Sequence, residues 1–417
     1  MSSRKHVDDE NDKVADPIDA EFDEEGFEDC SEEDPTIPPD VPDEKTRSRV
    51  RRELEDAHSF VKELTLDDLR GGDWFAKLLA HSMRVYVTEV DAEYFRNKYP
   101  GLPADAVADA RIQMAARYAG VGGGLSAAAY TGAVAATIGS GGGASPLTLP
   151  AGGASFVVDL VYTSQLQLRL AYDLSVLYRV PLDLNDPEDL WKFIRIAIGI
   201  RAGEVGGNLL LKGVPAVLRP MLKKYFSKGV LAAARGLPYI GRHLLQRNVI
   251  KFAIPGVSIP LSSGVNYWTT RAIGKQAREV FRLESRIRES AIGLTQTAPH
   301  PSETAWVVWL LVQAGGEIHE REKLLMHHIV TAVHAAHGEL PRLQELKDVI
   351  QIDEERVWRM LDGLEGDLGG LYRAGLVAAA VDGKVDAKEL ELLKRLADRC
   401  DVAFVPATAK LAAKDWD

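Results

Sequence analysis

From residue 46 onward, apolar positions recur at three- and four-residue intervals with charges between them, the spacing of helices that bury one face. Residues 51–64 and 74–90 carry this pattern plainly. Pro103 opens a further stretch, ADAVADARIQMAARYA, which reads as a helix ending near Gly120. At Asn185-Asp186-Pro187-Glu188-Asp189 a helix start is signed by an aspartate cap, a proline at the first position and acids in the first turn. Residues 279–295 are again a charged, amphipathic stretch. Short β-branched runs show neither strand alternation nor an Asn-Gly hairpin signal. The predicted fold class is therefore all-α, a glycine-rich helical domain followed by a small helical domain.

Three interruptions organise the chain. Residues 1–45 hold 18 Asp/Glu against 4 Lys/Arg, with prolines at 17, 35, 38, 39 and 42, and bury too little apolar surface to offset ordering entropy. They are expected to form a disordered acidic tail. The tail accounts for the chain's formal charge of −11, because the remainder balances 43 acids against 46 bases. The second interruption, residues 118–158, is uncharged and contains 11 glycines. A spanning helix, a re-entrant hairpin and a buried helical hairpin all fit it, with Pro146 and Pro150 expected to break the helix. The third is TAPHPSE, where Pro299 and Pro301 mark a boundary. The expected organisation is a tail at 1–45, a helical domain at 46–296 and a second helical domain at 302–417.

Between Glu204 and Glu279 the chain has no acidic residue, yet it carries 12 Lys/Arg. Apolar runs such as GVPAVLRPMLKKYF alternate with these bases, a composition suited to an anionic membrane surface. The surface residues expected are Lys212, Arg219, Lys223, Lys224, Lys228 and Arg235, with Tyr267 and Trp268 at interfacial depth. A basic bundle face meeting the acidic tail or another subunit is the plainer alternative. Nucleic acid is not expected as a partner, because no reading module accompanies the bases.

An internal repeat lies beyond the third break. Residues 314–329 match 381–396 at Gly316/Gly383, Ile318/Val385, Glu322/Glu389, Leu325/Leu392 and Ile329/Leu396. Each copy reads as helix, glycine turn, extended residue, cap, helix. Asp382, Asp386 and Glu389 are candidate oxygen ligands for a divalent cation, but Asp386-x-x-Glu389 is also a capping box and Asp382-Gly383 an ordinary turn pair. No other cofactor is indicated. His327 and His334 fall on one helix face away from the apolar stripe, where they are expected to be solvated.

Two cysteines, Cys30 and Cys400, exclude a disulfide scaffold and fit a reducing compartment. The N-terminus lacks the apolar stretch of a signal peptide. No P-loop, nucleophile elbow or zinc-protease helix is present in the sequence. Asp159 is a lone carboxylate in an apolar, glycine-rich setting. Burial would raise its pKa and make it a general-base candidate, but a cap or packing role is the simpler account.

Two blocks resemble the EcsC family, bacterial proteins named after an operon that encodes an ABC transporter. The first is Gly152-Gly153-Ala154 with Asp159 and the following LAYDLSVLYRVPLDLNDPEDLWKF. The second is Ile254-Pro255-Gly256, then Asn266-Tyr267-x-x-Thr270-Arg271-x-x-Gly274-x-x-Ala277. The segment Ala380-Val381-Asp382-Gly383-Lys384-Val385-Asp386-x-x-Glu389 resembles the TerB family, helical domains linked to tellurite and chemical-stress resistance. In the first copy of the repeat the Asp382 position is held by Gly315. Together these resemblances imply a non-enzymatic, membrane-proximal accessory protein linked to transport or stress, with protein partners at the TerB-like domain. They imply a cytoplasmic location, peripheral or hairpin-inserted at the inner face of the cell membrane. A soluble lipid- or metal-handling stress protein, and an enzyme centred on Asp159, are the alternatives.

Overall fold

The structure, a computed structural model, describes residues 43–139, 145–184, 186–199, 244, 258–296, 298–316, 318–347 and 353–416. Among them every regular element is a helix. Packing divides the chain into two units, Met1–Phe281 and Arg282–Asp417. The division falls inside a helix, ahead of the Pro299/Pro301 segment where the sequence predicts a boundary.

The first unit contains α1 (Glu44–Lys62), α2 (Leu66–Gly71), α3 (Trp74–Met83), α4 (Tyr86–Glu89), α5 (Ala92–Lys98), α6 (Ala104–Gly139), α7 (Ser145–Leu177), α8 (Pro187–Ile198) and the start of α9 (Ser258–Thr295). Helices α6 and α7 pack along one another, and α1, α3, α5 and α8 lie on α7. The start of α1 is set by Asp43, whose carboxylate accepts the Thr46 amide at 2.8 Å. Val50, Ala57 and Phe60 form its buried face. Residues 43–45 thus belong to a folded helix and its cap, whereas the tail expected before them falls on residues outside the described ones. Asp186 caps α8 as its sequence suggests, accepting the Asp189 amide at 3.1 Å. Trp74, Phe75, Leu78 and Leu79, all fully buried, form the centre of a core that reaches Leu166, Leu168, Phe193 and Phe281.

Helix α6 does not stop near Gly120. It continues to Gly139, through glycines that each cost a free helix about 1 kcal/mol. Tertiary packing supplies the reason. A Cβ on Gly122 would lie 2.3 Å from the Tyr162 ring. One on Gly123 would lie 2.5 Å from the Asn266 amide nitrogen and 2.7 Å from the Ser262 carbonyl oxygen. These glycines are the places where α7 and α9 come up against the α6 backbone. Gly123→Ala is accordingly expected to destabilise the protein by about 1–2 kcal/mol, its overpacking penalty exceeding the propensity gain. Urea denaturation of the variant checks this, and a stabilised variant would show that the approach is looser than described.

Pro146 also does not break the helix, for it lies in the first turn of α7, where a missing N–H leaves no bond unmade. Among the described residues no helix is long and apolar enough to cross a membrane. The described parts of 118–158 include Tyr118, Ala119, Ala127, Val157 and Val158, which are buried within this unit.

The second unit begins with the end of α9 and continues through α10 (Pro301–Ala314), α11 (Glu320–His337), α12 (Pro341–Lys347), α13 (Glu354–Asp362), α14 (Gly369–Ala380), α15 (Ala387–Arg399) and α16 (Pro406–Lys414). Helix α10 is apolar on nearly every side because α11 to α15 all pack against it. The repeat is realised as two hairpins, α10–α11 and α14–α15. Each turns on a left-handed glycine, Gly316 at φ 87° and Gly383 at φ 91°, a conformation that favours glycine. Each second helix opens with a capping box, His319 with Glu322 and Asp386 with Glu389. His327 and His334 are exposed, while Leu325, Ile329 and Val333 form the buried stripe.

Candidate functional site

The two sequence blocks that contain Asp159 and Asn266 meet in a buried polar seam between α7 and α9. Four-residue spacing puts Asp159, Thr163 and Gln167 on one face of α7, and Ser262, Asn266 and Thr270 on one face of α9. All six are buried. The Asn266 amide donates to Asp159 Oδ1 at 2.8 Å and to Thr163 Oγ1 at 3.2 Å. One helical turn pair further along, Gln167 Nε2 donates to Thr270 Oγ1 at 3.3 Å. Gly123 of α6 gives this seam its third wall, since only a missing side chain leaves Asn266 its place. Burial drives the Tyr162 hydroxyl, on the same helix, well above the usual tyrosine range, with the Glu53, Tyr118 and Asp159 charges adding to the rise and Arg169 opposing it.

Asp159 is thus hydrogen-bonded within the packed seam at 1% exposure. A substrate would have to part α7 from α9 to reach it. The geometry serves to fix helix register: an apolar slip by one turn would strand a carboxylate and two amides.

A second buried polar centre lies where α4, α6 and α7 meet, and sequence reasoning missed it. Arg111 and Asp173 are fully buried. Arg111 donates to Asp173 Oδ2 from Nε at 3.1 Å and from Nη2 at 2.6 Å. The Tyr86 hydroxyl donates to the other carboxylate oxygen at 2.7 Å, and the guanidinium stands 5.5 Å from the Phe95 ring centre. Arg111 and Asp173 sit in amphipathic stretches like any other charged residue, so no local signal distinguishes them. An inward position on the helical wheel is the one clue that could have found them.

In the second unit, Asp382, Asp386 and Glu389 come together at the α14–α15 turn, joined by Glu322 from α11. Asp386 accepts the Glu389 amide at 2.8 Å and Glu389 accepts the Asp386 amide at 2.8 Å. Asp382 accepts the Lys384 amide at 2.8 Å in a side-chain turn. Turn and cap thus occupy these carboxylates. Among the described residues no group of three or more His, Cys, Asp or Glu side chains is placed to hold a metal ion. Burial raises the Glu389 carboxyl to about 7, against the pull of the Asp386 amide and with the charges of Asp386, Asp382 and Glu322 adding to the rise. Glu322 is raised for the same first reason, burial, with Asp382 and Asp386 again adding to it.

Of the expected membrane-surface residues, Lys212, Arg219, Lys223, Lys224, Lys228 and Arg235 lie outside the described residues. Tyr267 is only 3% exposed and packs its Cβ against Gly120 of α6, which takes it out of any surface set. Trp268 is half-buried, edge-on to Tyr267, with the Arg271 guanidinium 5.5 Å from its ring centre. The α9 helical phase accounts for the difference: Tyr267 shares the inward side with Asn266 and Thr270, and Trp268 turns away from it. Comparison with family models, with curated proteins and with solved structures finds no match to this chain.

Proposed function

We propose that this chain is a non-enzymatic, membrane-proximal accessory protein, an EcsC-like helical domain followed by a TerB-like helical domain that engages protein partners in transport or stress response. The observation that carries the reading is the α7–α9 seam. Asp159 from one EcsC-like block and Asn266, Thr270 and Gly274 from the other converge on a single helix packing, which supports treating the two blocks as one motif. The same burial favours a structural Asp159 over a general base. In the second unit, the TerB-like residues Gly383, Asp386 and Glu389 form the turn and cap of the repeated hairpin, again an architectural use.

The membrane component rests on the acid-free stretch 205–278. Each base near an anionic surface contributes roughly 1 kcal/mol, so four facing it contribute about 4 kcal/mol. Co-sedimentation with vesicles is expected to rise with anionic lipid and fall with salt. It should weaken when Lys223, Lys224, Lys228 and Arg235 are changed together to Gln. Binding indifferent to lipid charge, salt and the substitutions would defeat the membrane reading. The enzyme alternative has its own test in Asp159→Asn, which keeps an acceptor for Asn266. A variant that folds and retains phenotype in the native host sides with the structural role.

A further inference from the structure

The first unit holds a polar cleft of about 520 Å³ between α1, the end of α3 and α7. It shares no residue with the α7–α9 seam or with the acid-free stretch. Arg49, Arg52, Glu53 and Asp56 line it from one face of α1, spaced three, four and seven residues from the first. His81 lines it from α3, and Arg169 from α7.

Arg169 is the informative member. Its side chain is 6% exposed. The guanidinium stands 5.3 Å from the Tyr86 ring centre, and Nη1 forms an ion pair with Glu53 Oε2 at 3.6 Å, too long for a hydrogen bond. Both Nε and Nη1 are buried without a hydrogen bond. Buried guanidinium donors ordinarily find acceptors, and the natural complement to a planar fork is an oxyanion. Nearby, Asp56 stands 3.6 Å from His81 Nε2, and this carboxylate holds the imidazole toward its charged form. Three guanidiniums and an imidazole thus face two carboxylates, an excess of positive charge in a recess too large for one bare phosphate.

We propose that this cleft binds a phosphate-bearing molecule, with Arg169 as its floor and Arg49 and Arg52 closing on the phosphate from α1. The phosphate can belong to a soluble phosphomonoester or to a lipid headgroup, and the chemistry of recognition is the same. Neither source depends on the acid-free stretch being a membrane surface.

Calorimetric titration of the full chain with inorganic phosphate and with glycerol 3-phosphate tests the proposal, using chloride at matched ionic strength as the control. Saturable binding is expected, weakened about tenfold or more by Arg52→Gln and by Arg169→Gln. Arg52 is exposed on α1, so its variant remains a fair test if the buried Arg169 variant fails to fold. A second arm uses phosphatidylcholine vesicles containing phosphatidic acid. Vesicle binding displaced by glycerol 3-phosphate identifies a headgroup as the source, and soluble binding without vesicle binding identifies a free phosphomonoester. Phosphate heats no larger than those of chloride, or affinity unchanged in Arg52→Gln, would overturn the proposal. So would vesicle binding that ignores both the competitor and the variant.

Discussion

Asp173→Ala is expected to remove about 3–5 kcal/mol of stability from the first unit, the largest effect of any single substitution considered. The variant deletes the carboxylate bonded by both Nε and Nη2 of Arg111, and the guanidinium remains in a site with 0% exposure. It also takes the acceptor of the Tyr86 hydroxyl. Against a total of roughly 5–15 kcal/mol for an ordinary domain, such a loss brings unfolding close to ambient temperature. Replacing both members, as Arg111→Met with Asp173→Leu, should return most of it, because an apolar pair of similar volume avoids desolvating two charges. Urea denaturation of the single and double variants measures both terms. A loss below about 1 kcal/mol in the single variant would mean that the pair is hydrated in solution.

The second large effect is a pH dependence in the second unit. The Glu389 carboxyl is 5% exposed and raised from 4.5 to about 7, so the folded state holds a proton that the unfolded chain releases earlier. Stability from this group is fully present below about pH 4.5 and is lost as pH rises through 7. The shift corresponds to about 3 kcal/mol between those limits. Glu322, raised in the same direction by burial, steepens the same window. Glu389→Gln keeps a carbonyl acceptor for the Asp386 amide but cannot ionise. The expected result is a flatter stability profile between pH 5 and pH 8 and a variant more stable than the parent at the alkaline end. Denaturant titrations at the two pH values decide it, and parallel profiles for parent and variant would exclude Glu389 as the titrating group.

What could be read from the chain alone was whatever depends on near neighbours. The all-α class, the Asp186 cap, the glycine turns at Gly316 and Gly383 and the Asp386/Glu389 box are all determined within about four residues. The end of α6 is not legible locally, because Gly120, Gly122 and Gly123 look like a stop signal. Their actual role is set by Tyr267, Tyr162 and Asn266, which lie on other helices. The burial of Tyr267 is hidden for a related reason, since composition cannot tell which side of α9 faces inward. Asp159 stands out in the sequence as a lone carboxylate, but its partner Asn266 is 107 residues away, and no spacing rule connects positions at that range. Arg111 and Asp173, separated by 62 residues, were invisible for the same cause.

The span between Asp159 and Asn266 also has a consequence during synthesis. At roughly 5–20 residues per second, the ribosome needs on the order of 5–20 s to add α9 after Asp159 has been made. Throughout that interval the nascent chain carries α6 with its bare glycine face and α7 with an unmatched carboxylate. Neither can close until Ser262 and Asn266 arrive. A chain terminated before residue 258 is thus an unfinished folding unit rather than a smaller domain, and it offers quality-control proteases a helix pair with one wall missing.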